Sequence, residues 1–421
     1  MNLSKYSIGI GDRFGHEAKA QLKAIIDANE KLNNITPVWN KSFREHNIIH
    51  TKPSNTRMAA DKAIRELNWK EQYFIDADHI NMSNVDEFID HSDFFTIDVA
   101  DFIDKKADEE KLKKSIDQNI KFIGEIYIPN ISQPFKVTEK ELENIIQKYL
   151  SAITEAGRIY RFVEGKKGKN NFITEISIDE VLEPQSPIEL LIILSLLSSE
   201  KIPLQTIAPR FTGRFNKGVD YVGDISKFEK EFEEDILIIN YAVKKFGLPD
   251  NLKLSIHSGS DKFSIYPVIK RIMQKHDKGI HLKTAGTTWL EEVIGLALAG
   301  SEPLKLVKMF YNEALSRMDE LCAPYAQVID IDLNKLPSAN EVKQWSSEKF
   351  ANTLRHIPGQ PDYNPDFRQL IHVGYKVAVE HGEEFTSFLS KYSDIIGQQV
   401  YENIYERHLC RLFNTQRNSH A

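Results

Sequence analysis

Cysteine is nearly absent: the 421 residues hold two, Cys322 and Cys410, in no paired spacing. That excludes a disulfide framework and a "CxxC" metal ribbon, and it fits a reducing compartment. Long apolar runs are missing as well. The longest, "IELLIILSLL" from Ile188, is broken by Ser195 and is too short to span a bilayer, so no membrane partner is expected. The opening "MNLSKYSIGIGDRFG" holds no apolar signal region, and a cytoplasmic protein is expected. There is no excess of basic residues: Lys+Arg is 54 against Asp+Glu 61, a net charge of −7, which disfavours nucleic acid as a partner. No Walker loop and no "HExxH" occur, and Gly9, Gly11 and Gly15 have the wrong spacing for a dinucleotide "GxGxxG". What is present, 41% hydrophobic and 27% charged residues, is the make-up of a soluble globular protein with a large core.

Eight strand-like runs alternate with helical patterns. They are "YSIGIGD" from Tyr6, "ITPVWNKS" from Ile35, "YFIDADH" from Tyr73, "FFTIDVAD" from Phe94, "TEISIDE" from Thr174, "LQTIAPRF" from Leu204, "LKLSIHSG" from Leu252 and "GIHLKTAG" from Gly279. Strand–helix–strand alternation implies parallel pairing with helical crossovers, and eight repeats predict a closed (β/α)8 TIM barrel, with a doubly wound open sheet as the rival. The expected organisation is a barrel over residues 1–300 with a mostly helical insertion at about 102–170, followed by a helical extension over 301–421 packed on the barrel. The terminal "NTQRNSHA" reads as frayed.

Barrel chemistry sits at the C-terminal ends of the strands. Here those ends carry Asp12-Arg13, Asp78-His79, Asp98 and Asp101, Asp179-Glu180, Arg210, His257-Ser258 and Lys283-Thr284, while the strand beginnings are apolar or neutral. That asymmetry predicts an enzyme. Two histidines directly after apolar strands, His79 and His257, beside several carboxylates, point to a divalent metal with a carboxylate as third ligand. Asp220, in "GRFNKGVDYVGD", is the candidate, with Asp224 close behind and His281 in reserve, deeper in the barrel. Asp78 and Glu180, on different strands, can serve as general base and acid, and Asp76 as a supporting group. Arg13, Arg210 and Lys283 can hold an anionic group of a small-molecule substrate. Regular alternation places Asp76 and Asp78 on one side of their strand and His79 on the other, so His79 is expected where the strand turns into its loop.

The motifs "GIGDRFG", "ADH", "TIDVAD", "SIDE", "APRFTGRFNKGVDYVGD", "IHSGSDKFSIYP", "HLKTAGT" and "RQLIHVGY", in this order over roughly residues 7–375, resemble the tagaturonate/fructuronate epimerase family of bacterial hexuronate catabolism. The resemblance implies a metal-dependent epimerase interconverting two sugar acids. It implies Asp78 as proton acceptor, Glu180 as proton donor, and His79, His257 and Asp220 as metal ligands. Family members carry a sizeable segment ahead of the "GDRFG"-like motif, which here begins at Gly11. The two sugar acids differ at a carbon β to the ketone, where removing the C–H proton gains no enolate stabilisation, so retro-aldol chemistry is expected. The alternatives are a metal-dependent aldolase or isomerase on a related sugar acid, or a non-catalytic uronate-binding barrel. The metal (Zn, Mn, Co or Ni), the oligomeric state and the role of His372 are not readable from sequence.

Overall fold

The eight runs form eight parallel strands: β1 Tyr6–Gly11, β2 Ile35–Ser42, β3 Phe74–Ile80, β4 Phe94–Asp98, β5 Ile173–Ser177, β6 Thr206–Ala208, β7 Lys253–Ile256 and β8 Ile280–Thr284. They pair in chain order, and β1 pairs with both β2 and β8, so the sheet closes. The protein is a (β/α)8 barrel with C-terminal helices, and the open-sheet alternative is eliminated. The computed structural model describes residues 1–31, 34–284 and 287–413. Ala285 and Gly286 of the "HLKTAGT" motif, and the terminal "NTQRNSHA", lie outside the described residues.

Strand residues two apart point to one side, so the interior is built in layers. The first residues of β3, β4 and β5, Phe74, Phe94 and Ile173, join Leu3 and Val38 in a small apolar cluster at the strand beginnings. Two residues further along, the same strands place Asp76, Thr96 and Glu175, all buried. Another two residues on, Asp78, Asp98 and Ser177 reach the mouth. The barrel therefore runs from apolar floor to charged rim.

Between β4 and β5 the chain forms a helix Glu109–Asn119, an antiparallel hairpin of Gly124–Ile126 with Phe135–Val137, and a long helix Glu139–Lys167 that returns it to β5. Beyond the barrel, helices Ser347–Leu354 and Ser393–Glu402 pack on helix Thr287–Ala299. A Cβ at Gly295 would stand 2.7 Å from the Ile396 Cα, so glycine is required for that approach. No described helix is long and apolar enough to cross a membrane. Cys322 and Cys410 are both free.

Candidate active site

The mouth of the barrel opens into a cavity of about 890 Å3, within the range of small-molecule sites. Its lining brings together Arg13, Asp78, His79, Asp179, Glu180, Arg210, His257 and Lys283, from six of the eight strand ends. Asp220 is not among them. Its carboxylate accepts from Ser264 N and from Ser264 Oγ (2.9 Å), fixing the loop that follows β7.

One backbone irregularity puts Asp78 and His79 in the same cavity. His79 has φ 53°, and the β3–β4 register shifts between Ala77 and Ile80. A bulge of this kind re-aims side chains. His79 Nδ1 lies 3.1 Å from Asp98 Oδ2, and its Nε2 3.8 Å from Asp78 Oδ1. Across the mouth, His257 Nε2 lies 2.8 Å from Glu175 Oε1 and its Nδ1 3.1 Å from Asp179 Oδ1. The two imidazole centroids are 5.1 Å apart.

With the Nδ1–H of His79 given to Asp98 and the Nε2–H of His257 given to Glu175, His79 Nε2 and His257 Nδ1 would face a cation, the arrangement of carboxylates behind metal-binding histidines. His79, His257 and Asp179 each offer a ligand atom, all within 4.8 Å of one another, and so do His79, Asp98 and Glu180. Asp179 thus holds the place beside the histidines that sequence reasoning gave to Asp220. It is released for this because Ser186, not Asp179 or Glu180, caps the helix Pro187–Ser199, in a capping box with Glu189. The donor set, two imidazoles and a carboxylate at the end of an open cavity, suits a divalent transition metal.

The electrostatics agree with that fit. Burial alone would lower both histidines, but Asp78, Asp98 and Glu180 hold His79 up at about 10, and Asp179 with Glu175 hold His257 at about 9. The surrounding carboxylates demand positive charge at this spot, supplied by protons or by a cation.

Beneath lies a part of the site that sequence reasoning assigned differently. Lys283 Nζ sits 2.9 Å from Asp76 Oδ2, 2.8 Å from Asp78 Oδ1 and 3.0 Å from Glu175 Oε1, and also donates to Thr96 Oγ1 at 2.6 Å. Lys283, which also lines the cavity, is thus a hub among buried oxygens at the base of the mouth. Its one charge is divided over three carboxylates. Burial would raise Asp78, but Lys283, His79 and His257 bring it down to about 2. Burial prevails at Asp76, which is pushed up to about 7. Glu175 went unassigned in the sequence, although a carboxylate in the middle of an apolar strand run was the available signal.

Arg13 is buried, donates to Glu45 Oε1 at 2.9 Å and to the His372 carbonyl, and lies 4.0 Å over the Tyr375 ring. Arg210 is half-buried, and among the described residues its guanidinium has no ion pair or hydrogen bond. His281 lies inside the barrel, its Nδ1 2.9 Å from Ser7 Oγ. Asp224 caps the helix Ile225–Phe246.

A sequence family described as tagaturonate epimerase matches residues 1–414. The tagaturonate/fructuronate epimerase of Thermotoga maritima is 28% identical over 385 residues, spanning 88% of this chain and 72% of that protein. The glycerol-complexed crystal structure of fructuronate-tagaturonate epimerase from Cohnella laeviribosi aligns with a TM-score of 0.80 at 26% identity, over 98% of this chain and 82% of that one. The native crystal structure of the Cohnella enzyme aligns with a TM-score of 0.78 at 25% identity, with the same coverage.

Proposed function

Because the chain belongs to the tagaturonate epimerase family, an isomerase-class enzyme family, we propose that it interconverts D-tagaturonate and D-fructuronate with the help of a divalent cation, by breaking and remaking a C–C bond. The observation that carries the reading is the pair of imidazoles facing each other across the mouth, with Asp179 between them and a further carboxylate behind each. His79, His257 and Asp179 would hold the cation. When bound, it supplies Lewis-acid stabilisation to the ketone end of the substrate, a role open to Zn, Mn, Co or Ni.

The rest falls to the chain's own groups. Asp78, ionised at any pH of interest, takes the proton of the hydroxyl on the carbon to be inverted. That oxygen becomes an aldehyde as the bond to the α carbon breaks, and the electron pair passes into the ketone fragment as an enediolate. The aldehyde turns its other face and the bond re-forms. Glu180, exposed at the rim, returns a proton to the new alkoxide. Arg210 donates to a substrate oxygen from the end of β6. The buried Lys283 keeps Asp78 charged and fixed, which positions the base before substrate arrives.

Substrate deuterated at the inverted carbon is the test. Bond cleavage retains the label in the epimer, and washout into solvent would show C–H deprotonation instead. Asp78→Asn is expected to lower kcat by about 10²–10⁴, the usual worth of a positioned acid or base.

A further inference from the structure

The cavity has two electrically opposite sides. Asp78, Asp98, Asp101, Asp179 and Glu180 crowd the side formed by β3, β4 and β5. Arg13 and Arg44 stand on the β1–β2 side, across the eight-strand ring from β5 and β6. There Arg44 rests on an aromatic face, and Lys217 reaches the same ring from the loop after β6. Arg44 Cζ lies 5.3 Å and Lys217 Nζ 5.9 Å from the centroid of the same ring, Tyr325. Tyr325 OH is 2.9 Å from Tyr375 OH, and Tyr375 carries Arg13 on its face at 4.0 Å. Glu45 is engaged by Arg13. Among the described residues, neither Arg44 nor Lys217 has an ion-pair partner. A π face positions a cation without neutralising it, whereas a carboxylate would do both.

We propose that Arg44 and Lys217, held on Tyr325, form the subsite for the substrate's carboxylate. This deepens the function proposed above and rests on it. In such a substrate the ketone and the carboxylate lie at opposite ends of the carbon chain, with the carbinol carbons between. The ketone end goes to the histidine side, and the carboxylate then falls toward the cationic corner. Cleavage leaves the carboxylate on the aldehyde fragment, so this corner tethers the piece that must turn over without leaving. Arg44 brings a planar fork and Lys217 a point charge, each suited to a carboxylate.

The measurement is kcat/KM for the uronate and for the ketohexose bearing CH2OH in place of the carboxylate, in wild type and in Arg44→Gln, Lys217→Met and the double variant. The ratio of the two values is expected to fall about 10–100-fold in each single variant and further in the double, the worth of one or two charge-assisted hydrogen bonds, with the loss mainly in KM. A ratio retained in the double variant overturns the proposal, and so does a ratio erased by Arg210→Gln alone. If wild type turns over neither sugar, the functional reading fails, and calorimetry with a non-reacting aldonate and its uncharged alditol then tests the corner by itself. Aldonate binding lost in the double variant supports the subsite, and undiminished binding overturns it.

Discussion

Lys283 shows how far a single residue can decide the state of its neighbours. Taking out one partner of a buried charge network leaves the others uncompensated, a loss of about 3–5 kcal/mol for a simple pair. Lys283→Met removes the shared partner of Asp76, Asp78 and Glu175 and is expected to lose at least that much in urea denaturation at pH 7–8. The sign of its pH dependence follows from burial. In wild type, Asp78 held down at about 2 contributes stability that is present above its unfolded value near 4 and is lost as pH falls toward 2. Asp76, pushed up to about 7, acts the other way, its contribution fading as pH rises through 7. Without the ammonium, burial pushes all three carboxyls up, so each favours the fold only while protonated. The deficit of the variant against wild type should therefore narrow as pH is lowered from 8 to 5, and a pH-independent deficit would refute the hub. Sequence showed these residues as polar groups at or near strand ends. It could not show that Lys283 faces inward among carboxylates, because that depends on strand stagger around a closed ring. Nor could it show φ at His79, since nothing in "DADHI" announces a left-handed histidine.

At the scale of elements, "RQLIHVGY" acquires a structural purpose. It forms most of the helix Pro365–Val373 and the turn beyond it, and ties together three loops at the mouth. Arg368, fully buried, donates to the Gly218 carbonyl of the loop after β6, to Leu354 O, and to Asp261 Oδ2 at 2.7 Å in the loop after β7. The His372 carbonyl accepts from Arg13 after β1, and Tyr375 meets Tyr325. The β7 loop needs such support: Ser258 and Asp261 both lie in the left-handed region, at φ 48° and 62°, just after His257. His408, from the C-terminal helices, accepts from Asp261 N at 3.2 Å, and Tyr266 donates to Gly259 O at 2.6 Å. Arg368→Met would leave Asp261 charged and buried with its principal partner gone. The expected cost is about 3–5 kcal/mol, read by thermal or urea unfolding, with Arg368→Lys recovering part of it. A variant as stable as wild type would rule out the clamp. All eight strands are legible from periodicity, within about two residues at most ends, because each is a short apolar run set off by helical pattern. The sixth departs most: of the eight-residue run "LQTIAPRF" only Thr206–Ala208 pairs as strand, since Pro209 cannot donate to the ladder. The wiring of "RQLIHVGY" stayed hidden because its partners in the strand-end loops, Arg13, Gly218 and Asp261, lie more than a hundred residues away in sequence.

For the molecule as a whole, the charge layout makes the strongest demand. Two histidines stand among Asp78, Asp98, Asp179, Glu180 and Glu175, and the ammonium of Lys283 beside them is already shared. The convergence of acids on one mouth was legible in the sequence, because a closed barrel gathers all its strand ends. Which acid stands beside the two histidines was not, since Asp179 and Asp220 look alike until the loops are placed. A divalent cation would relieve this mouth by displacing protons. With His79 held at about 10 and His257 at about 9, both carry a proton at pH 7 when no cation is bound. Binding must then release protons, and apparent affinity should rise with pH until it passes those values. The measurement is calorimetric titration of chelator-treated protein with Mn, Co, Ni or Zn in two buffers of different ionisation enthalpy, followed by thermal unfolding. Net proton release at pH 7 is expected. At a free cation concentration 100 times Kd the folded state should gain about 2.7 kcal/mol, so Tm rises. His257→Ala or Asp179→Asn should abolish both signals, whereas Asp220→Asn should leave proton release in place, because its carboxylate serves Ser264. Loss of cation binding in Asp220→Asn with retention in Asp179→Asn would return the third ligand to Asp220.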